Sequence, residues 1–170
     1  GVINADTILN FPDFRSSERT YQMLSQVSGR AGRGNIKGDV IIQTFNPDNY
    51  SIELSKTHNY VDFFNKEIKI RKDLKYPPYY FISLIKIGSK DYNLSLSESK
   101  KIANYIRENI SEDMIVLGPS VSGVSRVNKI YYFQIIIKFR NKEKMRKILN
   151  NVSDLENNNK VSISIDINPC

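Results

Sequence analysis

The sequence holds one cysteine and one histidine. Nowhere does it approach the ~18 consecutive apolar residues that a membrane-spanning helix needs. The lone Cys170 excludes an internal disulfide framework, as expected for a cytosolic protein. His58, with no cysteine cluster anywhere, leaves no zinc site to be built from these residues, and no metal ligand is expected among them. Within Lys-Thr-His-Asn-Tyr it reads as a loop or helix-entry residue. No signal-peptide pattern opens the chain. No Gly-x-x-x-x-Gly-Lys-[Ser/Thr] occurs, so nothing here cradles the α- and β-phosphates of a nucleotide. Nor does an acidic pair follow a hydrophobic strand in the manner of a magnesium-holding motif.

What is present begins with Gln26-Val-Ser-Gly-Arg-Ala-Gly-Arg33, a Q-x-x-G-R-x-x-R run at the end of an expected helix. Positions i, i+4 and i+7 share a helix face, so Gln26, Arg30 and Arg33 are expected to project together. Gly29 on the same side leaves room for another backbone or a phosphate. Two arginines that keep their charge suit a γ-phosphate in a phosphoryl-transfer transition state. A basic helix C-terminus favoured by the macrodipole accounts for the same residues. If Arg30 and Arg33 serve ATP, most of that ATP is held by other sequence. The opening Gly1-Val-Ile-Asn-Ala-Asp reads as the end of a strand, so a C-terminal piece of a longer chain is expected.

The net charge is +7, with 25 basic and 18 acidic residues. From Arg126 to Lys147 there are eight basic residues against one acid, Glu143. Such clustering is an electrostatic footprint for a polyphosphate.

Along the chain, residues 1–5 read as a strand tail and 9–14 as a loop. A helix is expected from Ser16 or Ser17, capped by that serine and ended by Gly32 and Gly34, with Tyr21, Leu24 and Val27 as its apolar stripe. Asp39 to Phe45 reads as a buried-type strand. A helix over Tyr60–Leu74 should turn Phe63, Phe64, Ile68 and Leu74 inward. Tyr76-Pro-Pro-Tyr79 stops it. The remainder reads strand (80–87), helix (94–110), strand broken at Gly118-Pro119 (115–127), strand (130–139), helix (141–151), strand (161–167). That order is βαββαβ, the ferredoxin-like plan, and the whole is α/β (α+β). In the 130–139 strand, Tyr131, Phe133, Ile135, Ile137 and Phe139 form the core face. Tyr132, Gln134 and Lys138 are left to solvent or nucleic acid beside Arg126 and Lys129. Tyr132 can stack on a base there, or pack against a neighbouring domain.

A resemblance spans the chain. Its carriers in the first half are Gly-Val-Ile-Asn-Ala-Asp (1–6), Leu-Asn-Phe-Pro-Asp-Phe-Arg-Ser-Ser-Glu-Arg-Thr (9–20), Gln-Val-Ser-Gly-Arg-Ala-Gly-Arg-Gly (26–34) and Tyr-Pro-Pro-Tyr (76–79). Leu-Gly-Pro (117–119) and Ile-Asp-Ile-Asn-Pro (165–169) continue it. Together they resemble the primosomal protein N′ family, the superfamily 2 replication-restart DNA helicases of bacteria. The resemblance implies that residues 1–56 end a RecA-like helicase lobe, 57–75 form a connecting helix and 76–170 form a DNA-binding domain. Gln26, Gly29, Arg30 and Arg33 would then be motif VI, contacting ATP and its magnesium on a missing first lobe. Arg33 would be the arginine finger, with Arg30 its companion. The family's zinc ions would be held upstream. It also implies an ATP-dependent 3′–5′ helicase of the bacterial cytoplasm that recognises stalled or branched forks and initiates primosome assembly. Its partners would be single-stranded and forked DNA, other primosome proteins and single-stranded-DNA-binding protein, with no membrane. Arg126, Lys129, Tyr132 and Lys138 would meet DNA. The hairpin departs from the family's usual Gly-Arg-Tyr/Phe-Arg-Trp-like run, having Asn-Lys-Ile-Tyr-Tyr-Phe.

Two further readings remain. Residues 76–170 alone suit a non-catalytic nucleic-acid- or protein-binding module. On the last basic helix, Lys142 and Arg146 are i, i+4 neighbours that can clamp a carboxylate, which suits the acidic tail of single-stranded-DNA-binding protein.

Overall fold

A computed structural model describes residues 2–31, 39–154 and 160–169. The chain divides into two compact units, Gly1–Leu74 and Lys75–Cys170.

In the first unit, β1 (Val2–Asn4) pairs in parallel with β2 (Ile41–Gln43). Between them lie α1 (Asp6–Leu9) and α2 (Ser16–Ser28), and after β2 come α3 (Tyr50–Lys56) and α4 (Tyr60–Asp73). Asp6 fastens the two strand ends together. Its carboxylate accepts from Phe45 N (2.9 Å), Thr44 Oγ1 (3.0 Å) and Asn46 Nδ2 (3.3 Å). The Phe45 amide above all, with the Thr44 and Asn46 donors, holds its pKa below the usual carboxylate range. Ala5, Leu24 and Ile52 form a small core. Tyr21 stacks on Phe63 at 4.2 Å, which ties α2 to α4.

Several expectations for this unit are corrected. Residues 6–9 form one helical turn, too short to leave an apolar period. Arg15, not a serine, occupies the N-cap of α2 and makes no side-chain cap; Asp13 instead accepts from Arg15 N (2.9 Å) and pairs with Arg19 (3.1 Å). α3 escapes the sequence reading because its start signal is a single residue, Asn49, whose side chain accepts from Ser51 N. On α4 the inward positions are Phe63, Glu67 and Arg71, whereas Phe64 and Leu74 are exposed. A carboxylate and a guanidinium sit where an apolar stripe was sought.

The second unit runs β3 (Phe81–Ser89), α5 (Tyr92–Asn109), β4 (Ile115–Val127), β5 (Ile130–Phe139), α6 (Lys142–Asp154), β6 (Val161–Ile167). The antiparallel sheet has the order β4-β5-β3-β6. This is the ferredoxin-like arrangement that the element order implies. Ile85, Ile87, Ile135, Ile137 and Phe139 pack with Ile102, Ala103 and Ile106 of α5 and Met145, Ile148, Leu149 and Val152 of α6. Both helices therefore cover one face of the sheet. The opposite face is built from the alternate residues. β4 breaks its register between Leu117 and Ser120. Gly118 there has φ 100°, and a Cβ would stand 2.7 Å from the Gln134 carbonyl oxygen. The Leu-Gly-Pro sequence thus builds a bulge in which only glycine fits.

Candidate functional site

The helix that was expected to carry Gln26, Arg30 and Arg33 on one face stops earlier. α2 ends at Ser28, with Gly29 at the C-cap in ordinary helical geometry (φ −67°, ψ −16°). The chain then tightens into i→i+3 turns, with Arg30 N donating to Val27 O and Ala31 N to Ser28 O. Gln26 therefore lies on the helix, while Arg30 lies on the turn beyond it. Gln26, Gly29 and Arg30 are all exposed at this helix end. Arg33 lies outside the described residues. Arg15, Arg19 and Arg71 are each ion-paired. Among the described residues, Arg30 has no ion-pair partner.

In the second unit, the expected DNA strip of Arg126, Lys129, Tyr132 and Lys138 is not one surface. Arg126 pairs across the ladder with Tyr131, and its guanidinium lies 4.9 Å from that ring centroid. Tyr131 in turn meets Tyr92 of α5 edge-on at 5.6 Å. Arg126 thus belongs to the helix side of the sheet. Tyr132, one residue along, points to the helix-free face.

Lys138 is corrected more strongly. It shares the face of Tyr132, but six residues along β5, a distance of ~20 Å at the rise of a strand. There it is buried, with its ammonium 3.6 Å from the centroid of the Tyr76 ring. Burial, with the nearby charge of Lys75, pushes its pKa down. A lysine capped by an aromatic ring is a packing element, not a phosphate contact.

Lys129 is exposed, at the tip of the hairpin. Asn128 and Lys129 are the two central residues of the β4–β5 hairpin, at φ 50° and 65°. Type I′ turns want glycine at such positions. A lysine there keeps charge at the exposed tip at a backbone cost. Lys129→Gly is therefore expected to stabilise the second unit by ~1 kcal/mol, and to weaken DNA binding only if the tip is a contact. Thermal melts and oligonucleotide titration read the two directions separately; a variant that gains stability without losing affinity removes the tip from the interface.

The groove beside α6 was signalled in the sequence only by its two cations. Phe81, Phe139, Met145, Leu149 and Ile167 line an apolar floor of about 470 Å³, rimmed by Lys142, Arg146, Lys147 and one acid, Glu143. Lys142 Nζ stands 4.1 Å over the Phe81 ring. Also missed were Lys90 and Lys160, distant in sequence from the basic cluster; they line a second, open groove at the far end of the sheet. Among the described residues there is no group of three His, Cys, Asp or Glu side chains able to hold a metal ion, and no helix is long and apolar enough to cross a membrane.

These features define an α+β protein of two units, the second a ferredoxin-like module with basic grooves at both ends of its sheet. The chain belongs to the family described as the primosomal protein N C-terminal domain, whose profile matches residues 72–170. Across 99% of its length it is 42% identical to the replication restart protein PriA of Bacillus subtilis, and covers 22% of that protein. The proteins of the same name from Synechocystis (39% identity, 82% of this chain, 17% of that protein) and Borreliella burgdorferi (34%, 99% and 26%) are also similar. The chain therefore spans about a sixth to a quarter of the length of these relatives.

Proposed function

We propose that this chain supplies the arginine corner of an ATP-driven 3′–5′ DNA helicase of replication restart, together with a module that binds DNA and partners. The observation that carries this reading is Arg30 on the exposed turn after α2, which has no ion-pair partner among the described residues, in a unit where the other described arginines are ion-paired. The relatives, named as replication restart proteins, support the same reading. Arg30, with Arg33 beside it in sequence, fits the γ-phosphate of ATP, where fixed positive charge offsets the charge that spreads over the transferring group. The residues that would hold the rest of the nucleotide and its magnesium are not in this sequence. The helicase works in the bacterial cytoplasm on stalled or branched forks, and zinc belongs to its upstream region.

A direct test compares two proteins. The full-length protein should hydrolyse ATP in a DNA-stimulated manner, and the 170-residue chain alone should show no turnover above buffer. Hydrolysis that tracked the purified chain would overturn the half-site.

A second partner is favoured by the α6 groove. Its apolar floor and three-cation rim suit an acidic peptide with an apolar end, the chemistry of the tail of single-stranded-DNA-binding protein. Charge reversal at Lys142 and Arg146 should weaken binding of such a peptide at least tenfold by fluorescence anisotropy, with the melting curve unchanged. Equal affinity in wild type and variant would return this helix to an ordinary solvated face.

A further inference from the structure

On the helix-free face of the sheet, Tyr132 lies directly opposite Gly88 of β3. A Cβ at Gly88 would stand 2.6 Å from Tyr132 Cε1 and 2.8 Å from Ser162 Oγ. Glycine inside a central strand weakens that strand, and Gly88 is the last residue but one of β3. Here its use is plain, because it gives the Tyr132 ring room to lie across β3 towards β6. The ring is half-buried, with the rest of its surface open to solvent. In the next row of the same face lie Gln134, the exposed Lys86 and the exposed Ser164.

Gly88 and Ser162 also line the open groove of about 630 Å³ at the end of the sheet, with Ser89, Lys90, Asp91 and Lys160. The aromatic shelf and the groove are thus continuous. Lys90 and Lys160 are exposed. Among the described residues the groove has one acid, Asp91, which is engaged as the N-cap of α5, accepting from Leu94 N at 3.1 Å. The nearest acid on the sheet face, Asp166, lies one row beyond Lys86.

We propose that this face is a single-stranded DNA site, with a base stacked on Tyr132 and phosphates held by Lys90 and Lys160. The proposal rests on the reading that this module binds DNA, and assigns it a place distinct from the hairpin tip. An aromatic shelf beside a cationic groove is the combination that holds unpaired strands without reading their sequence. A duplex keeps its bases stacked on one another and leaves Tyr132 nothing to stack upon.

The chain contains no tryptophan, so Tyr132→Trp creates a unique reporter. In the 170-residue chain, titration with a 12-nucleotide oligo-dT should quench its emission, and a 12-base-pair duplex should not. Lys90→Glu with Lys160→Glu should weaken oligo-dT binding and flatten the slope of log affinity against log salt by about 1.4, the share of two single-strand phosphates. Tyr132→Ala should weaken binding ~5- to 150-fold with the slope unchanged, and Tyr132→Phe should bind as wild type. Both lysines are exposed, so their reversal reads binding even if Tyr132→Ala unfolds the unit. Unchanged tryptophan emission on saturation, equal quenching by duplex, or an unaltered salt slope in the lysine pair overturns the site. If Lys129→Glu then still weakens binding, the module binds DNA elsewhere; if wild type binds no oligonucleotide at all, the DNA reading falls as well.

Discussion

In the full-length protein, Arg33→Ala is expected to lower the DNA-stimulated kcat by ~10³- to 10⁵-fold, the range found for arginine fingers, with little change in the KM for ATP. Arg30→Ala should move kcat in the same direction by a smaller factor. An arginine that meets the γ-phosphate acts mostly on charge that develops in the transition state, so its loss appears in kcat and not in ground-state affinity. Arginine's planar fork matters in such a contact, and lysine at either position should recover only part of the rate. The competing account makes these residues a basic helix terminus held by the macrodipole. That account is worth ~0.3–1 kcal/mol of stability, is satisfied by lysine and leaves kcat alone. Rapid-quench measurement of the hydrolysis step separates the two accounts, because only the phosphate contact slows chemistry. An Arg33→Ala protein with normal kcat would return the arginine run to a structural role.

The second unit was legible because its pattern is dense. β5 alternates so regularly that Phe133, Ile135, Ile137 and Phe139 could be assigned to the core, and all four are buried there. A continuous βαββαβ rhythm then leaves few sheets to choose from. Alternation says nothing of what lies over a residue on the other face. Lys138 follows the solvent-side parity, yet Tyr76, from the segment before β3, closes over it. Arg126 was grouped with that solvent-side face only by its nearness to the hairpin, and its pairing with Tyr131 puts it on the other one. The glycine at position 88 carried a signal that went unread. A glycine inside a strand marks a close approach, and the residue approaching it was Tyr132.

The first unit was harder to read, for the reason that makes it breakable. Arg71 is expected to be its most sensitive polar residue. Its Nε donates to Glu67 at 2.6 Å and its Nη2 to Glu18 at 2.8 Å, while the Tyr50 hydroxyl donates to the other Glu67 oxygen at 2.5 Å. The guanidinium also lies 5.2 Å from the Phe14 ring centroid. Burial disfavours its charge, but the bonds it donates to Glu18 and Glu67 outweigh that and raise its pKa. The cluster joins α2, α3 and α4 where an apolar stripe would normally do so. Arg71→Ala leaves the Glu67 carboxylate buried without its cation, at a cost of about 3–5 kcal/mol. The Glu18 arm adds little, since that side chain is 37% exposed. Urea denaturation of the 170-residue chain should show the first unit lost at much lower denaturant. Replacing both partners, Arg71→Met with Glu67→Met, should recover most of the loss, because no charge is then stranded. The same cluster gives a pH signature. Burial, then the Glu67 contact, pushes Tyr50 up to about 12 from an ordinary 10.0. Its contribution is therefore complete below pH 10.0 and is lost as pH climbs towards 12. Tyr50→Phe should flatten that alkaline decline. If Arg71→Ala unfolds at the wild-type midpoint, or the double methionine variant is no better than the single, the cluster is not what holds these helices together.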